Sequence, residues 1–158
     1  MIARACAAAF GLAVALVASH AAATGCMLEL REARADRLLE RIALVGPEPR
    51  FSIAFDHSVL GTGVVDEYRV AAGRLVLEAE RFEGEGYGLP YTAGPGERLE
   101  RDARGSRLVL DRPIDRLVLR ASAAQRTRLL LDGEWPLARP DAVSIELRPV
   151  GCEDTGTR

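Results

Sequence analysis

The chain has 158 residues, with 21 basic and 23 acidic side chains and a formal net charge of −2. That length buries a real core in one domain and leaves little room for two. Charges of both signs are interleaved, without the basic stripe that nucleic-acid binding requires. Lysine and asparagine are absent, so every basic residue is an arginine, a bias that a GC-rich genome explains without functional demand.

Residues 1–23 have the order of a secretion signal: Met1-Ile2-Ala3-Arg4, an apolar run from Ala5 to Ala18, then Ser19-His20 and the small residues Ala21-Ala22-Ala23. The run is about 14 residues, and a spanning helix needs about 20, so a cleaved signal is expected rather than a transmembrane anchor. Cleavage before Thr24 makes the mature protein periplasmic. The alternative is a lipoprotein anchored at Cys26, because Ala23-Thr24-Gly25-Cys26 loosely matches a lipoprotein signal that lacks its usual leucine. Removal of the signal leaves two cysteines, Cys26 and Cys152. An even pair in an oxidising compartment predicts a disulfide joining the two ends of a domain over residues 26–152, followed by a flexible tail, 153–158.

Within that domain, short Val-, Leu- and Ile-rich segments are punctuated by Gly, Pro and Asp, the rhythm of an all-β fold. Residues 27–30 and 38–45 read as the first strands, although 30–43 also has helix-forming composition. After Gly46-Pro47-Glu48-Pro49, Phe51, Ile53 and Phe55 alternate with Ser52, Ala54 and Asp56, so one face of that strand is buried. Residues 64–70 and 74–81 flank Ala71-Ala72-Gly73 as a hairpin. Residues 98–101 and 107–110 flank Asp102-Ala103-Arg104-Gly105 in the same way. Ile114, Leu117 and Leu119 fall in the next strand, after Pro113. Residues 128–131 and 134–137 meet at Asp132-Gly133, which suits a two-residue turn, and Pro136 marks an edge. Val143, Ile145 and Leu147 alternate in the last strand. About ten short strands without a clear helix predict an antiparallel β-sandwich, with a small partly open barrel as the alternative.

His57 is the single histidine left after processing. It sits in Asp56-His57-Ser58, where strand alternation turns neighbouring side chains to opposite faces, so Ser58 and Asp56 do not complete a triad with it. Capping backbone groups at the strand end is the simpler role. One histidine and a paired cysteine supply too few ligands for zinc or copper. A carboxylate cation site from Asp56, Asp66 and Glu67 is conceivable, and no cofactor motif is present. The stretch Gly84-Glu85-Gly86-Tyr87-Gly88-Leu89-Pro90 allows left-handed turns, but no GKS or GKT follows, which argues against a phosphate cradle. Glu83 and Glu85 have no fixed separation to read as a glycosidase pair. The loop either stitches two sheets together or presents Tyr87 and Tyr91 for recognition.

Phe51-Ser52-Ile53-Ala54-Phe55-Asp56-His57-Ser58-Val59, then Val65-Asp66-Glu67-Tyr68, then Arg81-Phe82-Glu83-Gly84-Glu85-Gly86-Tyr87-Gly88-Leu89-Pro90 resemble domain-of-unknown-function family eighteen-fifty in order and spacing. The His-Ser-Val and Gly-x-Gly-Leu-Pro elements are its specific parts. The resemblance implies a small exported or membrane-anchored protein, of a kind often encoded beside TRAP transporters of the TAXI type. It carries over no catalytic residue. His57, Ser58, Gly86, Gly88, Leu89 and Pro90 match its motif positions and, with Tyr87, form the candidate site. Many members use an N-terminal membrane helix, from which the expected cleavage here departs.

The leading expectation is therefore a periplasmic, non-enzymatic accessory or interaction protein of a TAXI-type TRAP solute-uptake system, contacting the solute receptor or the permease. The alternatives are a stand-alone small-ligand or metal-binding domain and, further off, a hydrolase using His57. A deep cleft enclosing His57 with acids converging on it favours the alternatives, and a flat surface exposing Tyr87 and Leu89 favours the first.

Overall fold

The computed structural model describes residues 25–84, 86–140 and 144–152. The expected signal (1–23), the tail (153–158), Glu85 and Val143 lie outside the described residues. Among those described are eleven strands and no helix: β1 (Met27–Glu32), β2 (Arg37–Ala43), β3 (Arg50–Asp56), β4 (Gly63–Ala71), β5 (Arg74–Phe82), β6 (Arg98–Asp102), β7 (Gly105–Ile114), β8 (Leu117–Arg120), β9 (Arg128–Leu130), β10 (Glu134–Pro136) and β11 (Ser144–Val150). They make two antiparallel sheets, a four-stranded one in the order β2-β1-β11-β8 and a seven-stranded one in the order β10-β9-β3-β4-β5-β7-β6, neither closed into a barrel.

Alternation turns every second side chain inward. Leu28, Leu30, Leu117, Ile145 and Leu147 of the smaller sheet and Phe51, Ile53, Val64, Tyr68, Val70, Leu75, Leu77, Phe82, Leu108, Leu110 and Leu129 of the larger belong to one buried cluster. Two sheets sharing one core make the protein a β-sandwich. Residues 30–43 are strand, turn and strand, with β1 paired to β2 from Met27 opposite Ala43 to Glu32 opposite Arg37. Burial of Leu28 and Leu30 on one face outweighs the helical composition, as packing commonly does.

Three turns differ from expectation. Pro113 does not separate two strands but lies inside β7 opposite Val76, and it is tolerated because β6 pairs only residues 105–109 of β7, which leaves a free edge there. The β6–β7 turn has two residues, since Asp102 pairs with Gly105. The β9–β10 connection has three, because Leu130 pairs with Glu134. β10 is an edge strand, as Pro136 indicates.

Cys26 and Cys152 are joined by a disulfide, with Cα atoms 4.2 Å apart and a sequence separation of 126. On the outer face of the smaller sheet, Glu29 and Glu146 are 5% and 6% exposed because arginines cover them. Arg31 and Arg41 reach Glu29 at 2.7 and 2.8 Å, and Arg116 and Arg148 reach Glu146 at 2.8 and 2.9 Å.

A loop-capped cleft as candidate functional site

The larger sheet has inward positions that the smaller sheet does not cover. There a cleft of about 480 Å³ opens, lined from β3 and its end by Phe55 and His57, from β4 by Val64 and Asp66, from β5 by Glu80 and Phe82 and from β7 by Leu108 and Arg112. Tyr87, Gly88, Leu89, Pro90 and Glu97 of the β5–β6 connection complete it, and the smaller sheet contributes nothing.

Its floor is set by a β-bulge. At the lower end of the hairpin Val70 faces Leu75 and Tyr68 faces Leu77, but the register shifts at Glu78, so that Asp66 faces Glu80 and Val64 faces Phe82. Ile53 flanks Asp66 on one side and Leu108 flanks Glu80 on the other. Two carboxylates thus stand at adjacent positions in an apolar row, within the reach of directly opposed side chains. Burial pushes Asp66 up to about 7, and the charge of Glu80 adds to this against one long hydrogen bond from the Tyr68 hydroxyl at 3.5 Å. Burial also raises Glu80, offset by Arg112 and reinforced by Glu97. Tyr68 is pushed above its ordinary range by burial and by both acids, so it remains a hydroxyl. The acids titrate as a coupled pair.

Arg112, the one guanidinium in the lining, donates to Glu97 at 2.9 Å. The backbone N–H of Gly94 and then Arg112 hold Glu97 below its ordinary range. His57 Nδ1 accepts from the backbone N–H groups of Val59 and Leu60 at 3.3 and 3.2 Å. Its backbone closes the same turn through Thr62 and Gly61, and the Thr62 hydroxyl donates to the Glu83 carbonyl at 2.8 Å. That bond ties the turn to the start of the glycine loop. His57 is a turn cap with one edge toward the cleft.

Gly84, Gly86 and Gly88 take φ of 86°, 91° and 96°, and Tyr87 between them takes 54°. A side chain on Gly86 would meet the Tyr91 hydroxyl at 2.9 Å. This left-handed path lays Leu89 against the core and leaves Tyr87 and Tyr91 72% and 57% exposed.

The cleft therefore gathers His57, Tyr87, Gly88, Leu89 and Pro90. Ser58 is exposed on the neighbouring turn, and Gly86 supports the loop from outside the lining. The conceivable Asp56, Asp66 and Glu67 group is dispersed: Asp56 binds Arg126 at 2.7 Å, and Glu67 on the opposite face binds Arg81 and Arg107. Among the described residues no three His, Cys, Asp or Glu side chains converge to hold a metal. The sequence reading missed Glu80, Glu97 and Arg112. A second cleft, of about 500 Å³ on the outer face, is lined by Arg81, Arg104, Arg107, Glu100 and Asp102, whose charges already pair.

Fold and site together define an antiparallel sandwich carrying a loop-capped, carboxylate-floored cleft. The family model for the Domain of unknown function (DUF1850) matches residues 51–137, more than half of the chain, and the protein belongs to that family. The match spans almost all of the larger sheet and the whole cleft lining, leaving out β1, β2 and β11. No curated protein and no solved structure matches.

Proposed function

We propose that this protein is an exported, non-enzymatic interaction module of a TAXI-type TRAP solute-uptake system, and that it contacts the solute receptor or the outer face of the permease through the cleft and its glycine loop. The observation that carries the reading is the exposure of Tyr87 and Tyr91 on a loop of left-handed glycines beside the cleft, where no nucleophile is assembled among the described residues. Exposed aromatic side chains are effective interface anchors. The transporter context comes from the family resemblance alone, and the Cys26–Cys152 bridge agrees with an oxidising compartment.

The concave, acid-floored cleft favours a second reading, a stand-alone binding domain for a small ligand. Crosslinking from positions 87 and 89, combined with solute uptake in a strain lacking the gene, separates the two. Impaired uptake with a crosslinked receptor or permease supports the first. Normal uptake and no crosslinked transporter component removes it.

A further inference from the structure

We propose that the cleft receives a basic side chain, arginine or lysine, projecting from an extended apolar segment of the partner protein. The proposal rests on the interaction-module reading and specifies its chemistry. Three carboxylates, Asp66, Glu80 and Glu97, line the cleft against one guanidinium. That guanidinium, Arg112, is engaged by Glu97 at 2.9 Å, so that its charge acts on Glu80 without a direct ion pair, and Asp66 has the long Tyr68 hydrogen bond.

Asp66 and Glu80 are half-buried among Ile53, Val64, Phe82 and Leu108, and beyond the Arg112 charge acting on Glu80 their charged forms have little compensation. An incoming cation supplies it. A guanidinium spans two carboxylates with several donors, while its aliphatic stem lies along the apolar walls formed by Phe55, Phe82 and Leu89. Apolar residues flanking it on the partner would meet Tyr87, which lines the cleft and is exposed. The polar groups facing the floor are Asp66 and Tyr68 from β4, Glu80 from β5, Arg112 from β7, Glu97 and Tyr87 from the β5–β6 connection, and His57 from the end of β3. Because burial raises Asp66 to about 7 and raises Glu80 as well, a cation must displace a proton from the floor, and binding strengthens as pH rises.

The test is an NMR titration of the mature protein with three probes: the blocked peptide acetyl-Ala-Leu-Arg-Leu-Ala-amide, its glutamine counterpart, and free agmatine. At pH 7.5 the arginine peptide should move the amide signals of residues 86–89 and bind about tenfold tighter than the glutamine peptide, the scale of one charge-assisted contact. That preference should disappear in Asp66→Asn and Glu80→Gln and shrink at pH 5.5, and it should persist in His57→Gln. Equal binding of the two peptides, or no binding of either, overturns the proposal. Agmatine binding as tightly as the arginine peptide also overturns it, in favour of a small-cation pocket. If the peptides fail while crosslinks from position 87 still capture the transporter, the module stands and the basic side chain is wrong. If the arginine peptide binds and the crosslinks are absent, the docking chemistry stands and the transporter does not.

Discussion

Asp66 and Glu80 face each other across the β4–β5 ladder on the side where the same strands otherwise carry Val64, Phe82, Tyr68, Leu77, Val70 and Leu75. Two acids at positions built for apolar side chains lower stability once both are charged. The folded protein holds the Asp66 proton up to about pH 7, against an ordinary value of 3.8. Between those values the native state binds more protons than the unfolded chain, so stability falls as pH rises through that window. Asp66→Asn should flatten this slope, leaving the smaller part due to Glu80, and raise stability at pH 7.5 by about 2 kcal/mol, with little effect at pH 4. Urea denaturation at both pH values checks this, and a variant less stable at pH 7.5 contradicts it.

Glu29 and Glu146 carry the opposite sign. Burial pushes Glu29 up, but Arg31 and Arg41 outweigh it and hold the carboxyl below its ordinary 4.5. The hydrogen bond from Arg116, then burial working against it and then Arg148, sets Glu146 below the same value. Their contribution is complete above pH 4.5 and is lost as pH falls through the lowered values. Glu29→Ala or Glu146→Ala should cost about 1–2 kcal/mol at pH 7. Thermal melts should show the deficit shrinking toward pH 3.

Gly105 and Gly88 should respond differently to alanine although both have positive φ. A Cβ at Gly105 would lie 2.5 Å from the Phe82 carbonyl oxygen, whereas one at Gly88 meets nothing within 4 Å. Gly88→Ala carries only the left-handed backbone cost, about 1 kcal/mol. Gly105→Ala must also move backbone and should cost more than about 2 kcal/mol. Denaturation midpoints of the two variants test the ranking.

One sulfur cannot carry both a diacylglyceryl thioether and a disulfide, so a protein with the Cys26–Cys152 bridge formed is not lipidated at Cys26. Intact mass of protein recovered from a periplasmic extract should show neither adduct nor free thiol. Closing a loop with a separation of 126 residues is worth about 5 kcal/mol in the chain-entropy model, so the Cys26→Ser, Cys152→Ser double variant should unfold at markedly lower denaturant. Two alkylatable thiols in the native protein would contradict the pairing.

Most local structure was legible because sheet alternation is a short-range signal. Phe51, Ile53 and Phe55 announced an inward face, and Ala72-Gly73 takes the left-handed turn its glycine suggested, at φ 48° and 72°. Asp66 was legible too, as a polar residue in register with Val64, Tyr68 and Val70. Its partner was not. Counting back from the turn in constant register places Ala79 opposite Asp66, and only the bulge at Glu78 substitutes Glu80. Sheet membership was equally hidden: β8 follows β7 after two residues yet pairs with β11 in the other sheet, a choice made by long-range burial of Leu117 against Ile145 and Leu147.

The bridge and the cleft occupy opposite poles. A side chain at Gly73, in the β4–β5 turn, would meet the Cys152 carbonyl oxygen at 3.8 Å, and one at Gly151 would meet the Gly25 carbonyl oxygen at 3.1 Å. Val64 and Phe82 of the cleft stand at the far end of the same hairpin, roughly 25 Å of strand away. Force applied through residues 26 and 152 therefore runs through the sulfur–sulfur bond and bypasses both sheets. The domain behaves mechanically as a knot on a leash, and any tether at this pole leaves the cleft pointing away from its anchor, undistorted by tension.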